Sequence, residues 1–532
     1  MKRIAILLFS FVLLTVSCSK TLPEQDYLRL VPEPAEALSI NSGSEISVDF
    51  EVSQDFRLFY FEISIGQSQI SLVAADGQKA RHVYLKEVQR IQPDKGRFRA
   101  VIADCMSEEP YEESVKLVID LGDRSIASDP FSCKCDSGTM YGAPDTGLPV
   151  IYIATENGAA IKNKEDWVPA CVKVDGNGRF DDLPKTPIQI RGRGNTTWDY
   201  PKKPYLFKFE SKTQMLGMPK HKRWVLLANY IDKTLMRNDL AFKLSSLTSL
   251  KYTTRSQFCE VVLNGKHLGN YQLVEQIRVD KNRLDISEEN GFLYELDGRY
   301  RNEVNWTDPH GTSWLKSTGV PFSIKYPDED DITESQIEKG KSIIFQTAEA
   351  IYSEQFADPV LGYRPLVDVQ SFVDYWIVFE LMTNHELANP LSIYMFKDGD
   401  KPLAAGPVWD FDWGTLSFVE NPDAKDHMFM KEAIWYSQFF KDPYFVALLK
   451  ERWNALYPEF KKVPEHIDSQ RLLIRESASI NFGLWDITVG KSRKIINGDE
   501  LMSFDEAVDL LKANYLTHLE TMNGEINGDS LD

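Results

Sequence analysis

Strand-like alternation of apolar and polar residues fills the chain up to about residue 330 and then gives way to helical periodicity, and this switch constrains the fold most. Between residues 38 and 130, Ile46–Val52, Phe59–Ile65, Val83–Leu85, Phe98–Ala103 and Val115–Leu121 read as short strands separated by Gly, Asp and Ser. Such spacing predicts a small immunoglobulin-like β-sandwich over 38–130. Residues 131–148, carrying Gly138, Gly142, Pro144 and Gly147, read as a linker. From residue 149 new strands follow at Val150–Ile153, Ile188–Arg191, Tyr205–Glu210 and Trp224–Ala228. Phe258–Leu263 and His267–Val274 form a hairpin, because Asn264-Gly265 supplies the positive φ angles of a type I′ turn. Helical spacing marks Asp232–Leu247, Glu334–Tyr352, Asp368–Asn384, Tyr444–Leu456 and Phe504–Met522. A β-rich lobe followed by a helix-rich lobe is an α+β arrangement, here assigned to residues 149–525.

The first residues carry an address. Lys2 and Arg3 precede the apolar run Ile4–Val16, which is shorter than the ~20 residues a membrane span needs and fits a secretory signal peptide. Ser17-Cys18 ends it as a bacterial lipobox does, so residues 1–18 are predicted to be a lipoprotein signal peptide with Cys18 lipidated. A plain signal peptide with an incidental cysteine is the other reading. Residues 19–37, with Pro23, Pro32 and Pro34, read as a tether. The expected location is the cell envelope, at the periplasmic face or the cell surface, with the membrane held through the lipid. Cys105, Cys133, Cys135, Cys171 and Cys259 are odd in number and lack zinc spacing, which favours small buried hydrophobes. A net charge of −19 excludes broad nucleic-acid binding.

Chemistry concentrates in three places. Between Gln189 and Trp224 there are nine Lys or Arg residues and two acidic ones, a basic island in an acidic chain. Gly192 and Gly194 would let backbone N–H groups approach a phosphate, with Arg193, Asn195 and Thr196 as further donors. Lys208, mid-strand and opposite in facing to Phe207 and Phe209, suits a phosphate contact; solvated lysines beside a strand turn are the equal alternative. The second place is Trp409-Asp410-Phe411-Asp412-Trp413-Gly414. Two carboxylates among aromatics suit Mg²⁺ or Mn²⁺ held together with phosphate oxygens. The third is Asn384-His385-Glu386 with Asn389, at a helix end and just before the strand-like Ser392–Phe396. Arg237 reads as a carboxylate partner that supports the fold, and Glu275 as a partner of Lys208 or of an arginine.

Together these segments resemble the spore-coat protein H (CotH) kinase family. The resemblance rests on Arg191–Trp198, Lys203–Phe209, Leu216–Pro219, Trp224–Tyr230, Asp232–Asn238, Leu263–Tyr271, Tyr394–Asp398 and Gly406–Trp413, in the family's order. It implies an atypical protein-kinase-like fold and Mg²⁺-dependent transfer of phosphate from ATP to Ser or Thr of protein substrates. By position, Lys208 looks like the nucleotide-contacting lysine, with Lys203 second, and Asp410 and Asp412 like the metal pair. This chain departs from the family in having Glu386, with His385 beside it, where phosphorylating members carry an Asp. Glu386 is the expected base and His385 the second choice. A misplaced carboxylate of this sort can cost on the order of 100-fold in rate. ATP is scarce outside the inner membrane, so a surface or periplasmic binding protein that retains the fold without turnover is the alternative. A glycan-binding lipoprotein is a third reading.

Overall fold

The computed structural model describes residues 27–40, 45–53, 70–92, 96–104, 110–120, 124–135, 143–299, 304–311, 319–328, 330–487 and 496–528. The signal peptide, Cys18, Cys105 and the strand expected at Phe59–Ile65 lie outside them. The chain is α+β and divides into two compact units, with the change-over near Gly138.

In the first unit one sheet has the order Leu28–Leu30, Glu45–Val52, Arg97–Asp104, Val83–Gln92. The other runs Leu38–Ser39, Phe131–Cys135, Tyr111–Asp120, Ile70–Ala74, with Ser125–Ala127 also paired to Tyr111–Asp120. Period-two alternation drives both sheets, since Val48 with Phe50 and Val115 with Leu117 and Ile119 turn into one shared core. Two sequence expectations change. Phe131–Cys135 is a core strand and not the start of a linker, because Phe131, Cys133 and Cys135 alternate inward. Leu28–Leu30, placed in the tether, pairs antiparallel with Phe50–Val52. Burial pushes the Cys133 thiol up to about 12, as expected of a small hydrophobe without redox duty.

The second unit opens with a closed barrel in the order Val150–Thr155, Val168–Asp175, Leu183–Gly192, Tyr205–Met215, Met218–Leu227, Lys266–Glu275, Ser256–Leu263. The first and last strands in this order close it by parallel pairing, Val150 beside Glu260 and Ile153 beside Leu263. Phe207, Phe209, Trp224, Tyr271 and Val261 fill its interior. Asn264 and Gly265 turn the hairpin with φ of 50° and 73°. A five-stranded sheet follows, ordered Asn305–Asp308, Val320–Tyr326, Phe292–Leu296, Ile393–Lys397, Leu403–Ala405. Its side chains share a core with the outer barrel residues Leu206, Val225 and Leu227 and with the helices.

The helices begin where capping chemistry puts them. Thr333 with Gln336 and Ser503 with Glu506 form capping boxes for Glu334–Tyr352 and Phe504–Asn527. Asp368 caps Val369–Leu381, whose residues are buried nearly all round. The helix expected from Asp232 starts at Arg237, because Asp232 folds the preceding residues into a turn by accepting from the Thr234 and Arg237 amides at 2.9 Å each. Val463–Leu484 is a further 22-residue helix that the sequence reading missed. Among the described residues no helix is long and apolar enough to cross a membrane.

A buried ion network ties these parts together. The Arg237 guanidinium pairs with Asp232, donates to Asp499 at 2.6 Å and reaches the Thr415 carbonyl at 2.8 Å. All three side chains are out of solvent, so removing the cation strands two carboxylates. Arg237→Ala is expected to destabilise the second unit by about 3–5 kcal/mol. Chemical denaturation checks this, and a loss under 1 kcal/mol would show the network to be incidental.

Candidate functional site

A cleft of about 1060 Å³ runs along the outer barrel face, from Arg191, Leu206, Arg223 and Val225 to the opposing Leu293, Glu295 and Ile324. At one end it is closed by the turn that follows the strand Leu403–Ala405 and by the segment after the helix Val369–Leu381. The basic island and the acidic pair, separated by more than two hundred residues, meet in this cleft: Arg193, Asn195, His385, Glu386, Asn389, Asp410 and Asp412 all line it.

The acidic turn is held from several sides. Asp410 has φ of 69°, so the turn needs outside support. Asn384 donates to the Asp410 carbonyl at 3.1 Å, and Asn238 accepts from the Phe411 amide at 2.8 Å. Asn238 in turn donates to Asn229 at 3.2 Å, and Asn229 donates to Gln272 on the barrel at 3.2 Å. Asn497 donates to the carbonyls of Asp412 and Ile231 at 3.1 Å and accepts from the Gly414 amide at 2.8 Å. Phe411 is buried against Phe379 with ring centroids 4.8 Å apart. The Ser392 hydroxyl donates to the Asp410 carboxylate at 3.3 Å.

Charge in this corner is poorly matched. Asp412 is buried, and burial together with the charges of Asp410 and Asp232 raises its carboxyl to about 8. Arg193 is the nearby cation. Its guanidinium lies 5.4 Å from the centre of the Trp409 ring; burial pulls it down, and Asp410, Tyr394, Asp412 and Glu295 oppose that. Two crowded carboxylates beside the Arg193 guanidinium are a donor arrangement that a divalent cation could share. Asn389 Oδ1 is buried in the cleft with no hydrogen-bond partner among the described residues, which offers a neutral oxygen. No group of three or more His, Cys, Asp or Glu among the described residues could hold a metal alone. The donor set therefore fits Mg²⁺ or Mn²⁺, ions that take one or two carboxylates and fill their shell with water and phosphate oxygens.

At the expected base position, Asn384 closes a short turn by accepting from the Glu386 amide at 2.8 Å while its amide nitrogen holds Asp410. The same side chain thus places Glu386 relative to the acidic pair.

Three expected site residues belong elsewhere. Glu275 does not meet Lys208. It is buried with Arg283, Arg255 at 2.9 Å and the Tyr252 hydroxyl at 2.8 Å, and so supports the barrel. Lys203 donates to the Trp198 carbonyl at 2.5 Å and stays off the cleft wall. Lys208 does not line the cleft either; its ammonium lies 4.1 Å from the centre of the Trp167 ring, beyond the Leu206 that does. The two glycines of the basic island sit in close packing. The Gly192 amide donates to Asn163 at 2.9 Å, and a Cβ there would fall 2.4 Å from the Trp198 ring. At Gly194 a Cβ would fall 2.1 Å from the Thr197 hydroxyl. Packing leaves no room for a side chain at either position, and both glycines line the cleft. Sequence reasoning missed Trp167, Arg223, Arg278, Glu295 and Tyr394 as lining residues, and Asn497 as a clamp.

The barrel, the antiparallel five-stranded sheet and the helices thus form an α+β unit around a cleft that is basic on one wall and acidic at one end. The chain belongs to the CotH family: the family model described as CotH kinase protein matches residues 190–514, from the strand bearing Arg191 to the last helix. No curated protein matches the chain. Among solved structures, a marsupial T cell receptor is similar at 10% identity over 35% of this chain and 91% of its own, with a TM-score of 0.15, too low to bear on the fold.

The sign of the Asp412 effect is testable. An unfolded Asp ionises near pH 4 and this one near 8, so its contribution to stability is complete below about pH 4 and is lost as pH rises toward 8. In EDTA at pH 8, Asp412→Asn is expected to melt at least about 2 °C above the parent, with the gap closing toward pH 5 and on adding Mn²⁺. Equal melting at pH 8 would contradict the crowding of charge.

Proposed function

We propose that the second unit has an atypical kinase-like fold and transfers phosphate from ATP to Ser or Thr hydroxyls of protein substrates. The observation that carries this reading is the convergence of Arg193 and Asn195 with Asp410 and Asp412 in one cleft. Asp410 and Asp412, with Asn389, would hold Mg²⁺ or Mn²⁺, and Arg193 with Asn195 would face the phosphates of ATP. When bound, these groups supply the transferable phosphoryl group and the charge that neutralises it. Glu386, kept in place through Asn384, would accept the proton of the attacking hydroxyl, with His385 as the alternative acceptor. Buried walls and the aromatic Trp409 and Tyr394 would limit water at the reacting end. The first unit is read as an immunoglobulin-like spacer, and a lipid on Cys18 would fix the protein to the envelope membrane. No nucleic acid is involved in this reading.

A second reading is favoured by the Asn384-His385-Glu386 sequence, which lacks the family's Asp: a protein that binds nucleotide without turnover and serves in surface or periplasmic binding or adhesion.

Labelled ATP with Mg²⁺ and a Ser-rich acceptor separates the two. Transfer in the parent, none in Asp410→Ala and at least ~100-fold less in Glu386→Gln is the expected result. A melting shift with ATP–Mg²⁺ but equal background labelling in all three proteins would establish the second reading.

A further inference from the structure

At the other end of the cleft Arg191 and Arg223 line the wall with Trp167, and Lys208 joins them on the same ring from just outside the wall. The guanidinium of Arg191 lies 4.6 Å and that of Arg223 5.8 Å from the centre of the Trp167 ring, and the Lys208 ammonium lies 4.1 Å from it. Arg278 adds its charge to the group while holding Asp328 at 2.6 Å. Among the described residues none of Arg191, Lys208 and Arg223 forms an ion pair. Arg191 reaches a backbone carbonyl, that of Glu165, at 3.4 Å, and its Nε is buried without a partner. Burial first, and then neighbouring cations, lower the proton affinity of Arg191, Lys208 and Arg223, with Glu165 opposing this at Arg191 and Asp328 at Arg223. Cations are crowded in this way, against the cost of desolvation, where an anion is to be received.

The barrel register sets the distance from the acidic end. Lys208 stands opposite Arg223 across the strand pair and Arg191 opposite Leu206, whereas the Arg193 amide bonds to the Pro204 carbonyl, four residues back from Lys208 and two back from Leu206. Four extended residues rise about 13 Å. Leu206 and Val225, both apolar, lie between the two ends on the same face. An extended polypeptide with its hydroxyl at the acidic end would therefore bring the side chain about four residues away over the cations.

We propose that the Arg191–Lys208–Arg223 cluster on Trp167 is an acceptor-recognition subsite that binds an anionic side chain, carboxylate or phosphate, about four residues from the hydroxyl of an extended protein segment. The term acceptor rests on the transfer reading above; the binding itself does not. Lys208, which misses the cleft wall as a nucleotide contact, thereby has a role.

The test uses fluorescently labelled eight-residue peptides with one central Ser and, four residues from it, Asp, phosphoserine or Ala, titrated into the full chain without turnover. Binding of the Asp or phosphoserine peptide at least about 10-fold tighter than the Ala peptide is expected, corresponding to one charge-assisted contact. Arg223→Gln and Lys208→Gln should each remove most of that preference, with melting temperatures confirming that they fold, and Asp410→Asn should keep it. Which anionic peptide binds more tightly separates carboxylate from phosphate. Displacement of the peptide by ATP or pyrophosphate would assign the cluster to the nucleotide and overturn the proposal, as would equal binding of all three peptides or no effect of either variant. Peptide preference without phosphate transfer would leave the subsite standing and remove the transfer reading.

Discussion

Everything at the acidic end depends on a guanidinium that never meets solvent. Arg237 neutralises Asp232 and Asp499 and grips the Thr415 carbonyl, and so fixes the stretch that carries Asp412 against both the barrel and the C-terminal segment. A buried cation between two carboxylates is stable while all members are present, which makes it a lock more than a source of net stability. With it in place, Asn238, Asn384 and Asn497 can hold the turn by neutral hydrogen bonds. Burial then acts together with Asp410 and Asp232 to raise the Asp412 carboxyl.

Much of this was legible in the sequence because the underlying signals are local. Period-two runs gave strands such as Glu45–Val52 and Tyr205–Met215, helical spacing marked Glu334–Tyr352, and Asn264-Gly265 marked its hairpin. Val463–Leu484 escaped notice since its buried stripe includes Ser477 and Asn481, which break the apolar rhythm. Phe131–Cys135 was hidden by the glycines and proline that follow it.

Of the residues singled out by type, Asp410, Asp412, Arg193, His385, Glu386 and Asn389 line one cleft. Whether Lys208 pairs with Glu275 was not legible, because which charges meet is decided by barrel register. Glu275 lies opposite Trp224, while Lys208 lies opposite Arg223. Trp167 and Arg278 carry no local signal, and Asn497 acts through a carbonyl and an amide that no sequence pattern exposes.

The late position of Asn497 and Asp499 has a consequence for how the molecule matures. Synthesis delivers the barrel, the five-stranded sheet and the Asp410–Asp412 turn some eighty residues before the two side chains that lock it. A nascent chain therefore holds an unlatched turn until those eighty-odd residues have followed it, and the cleft takes its final form after the barrel and the sheet have been made.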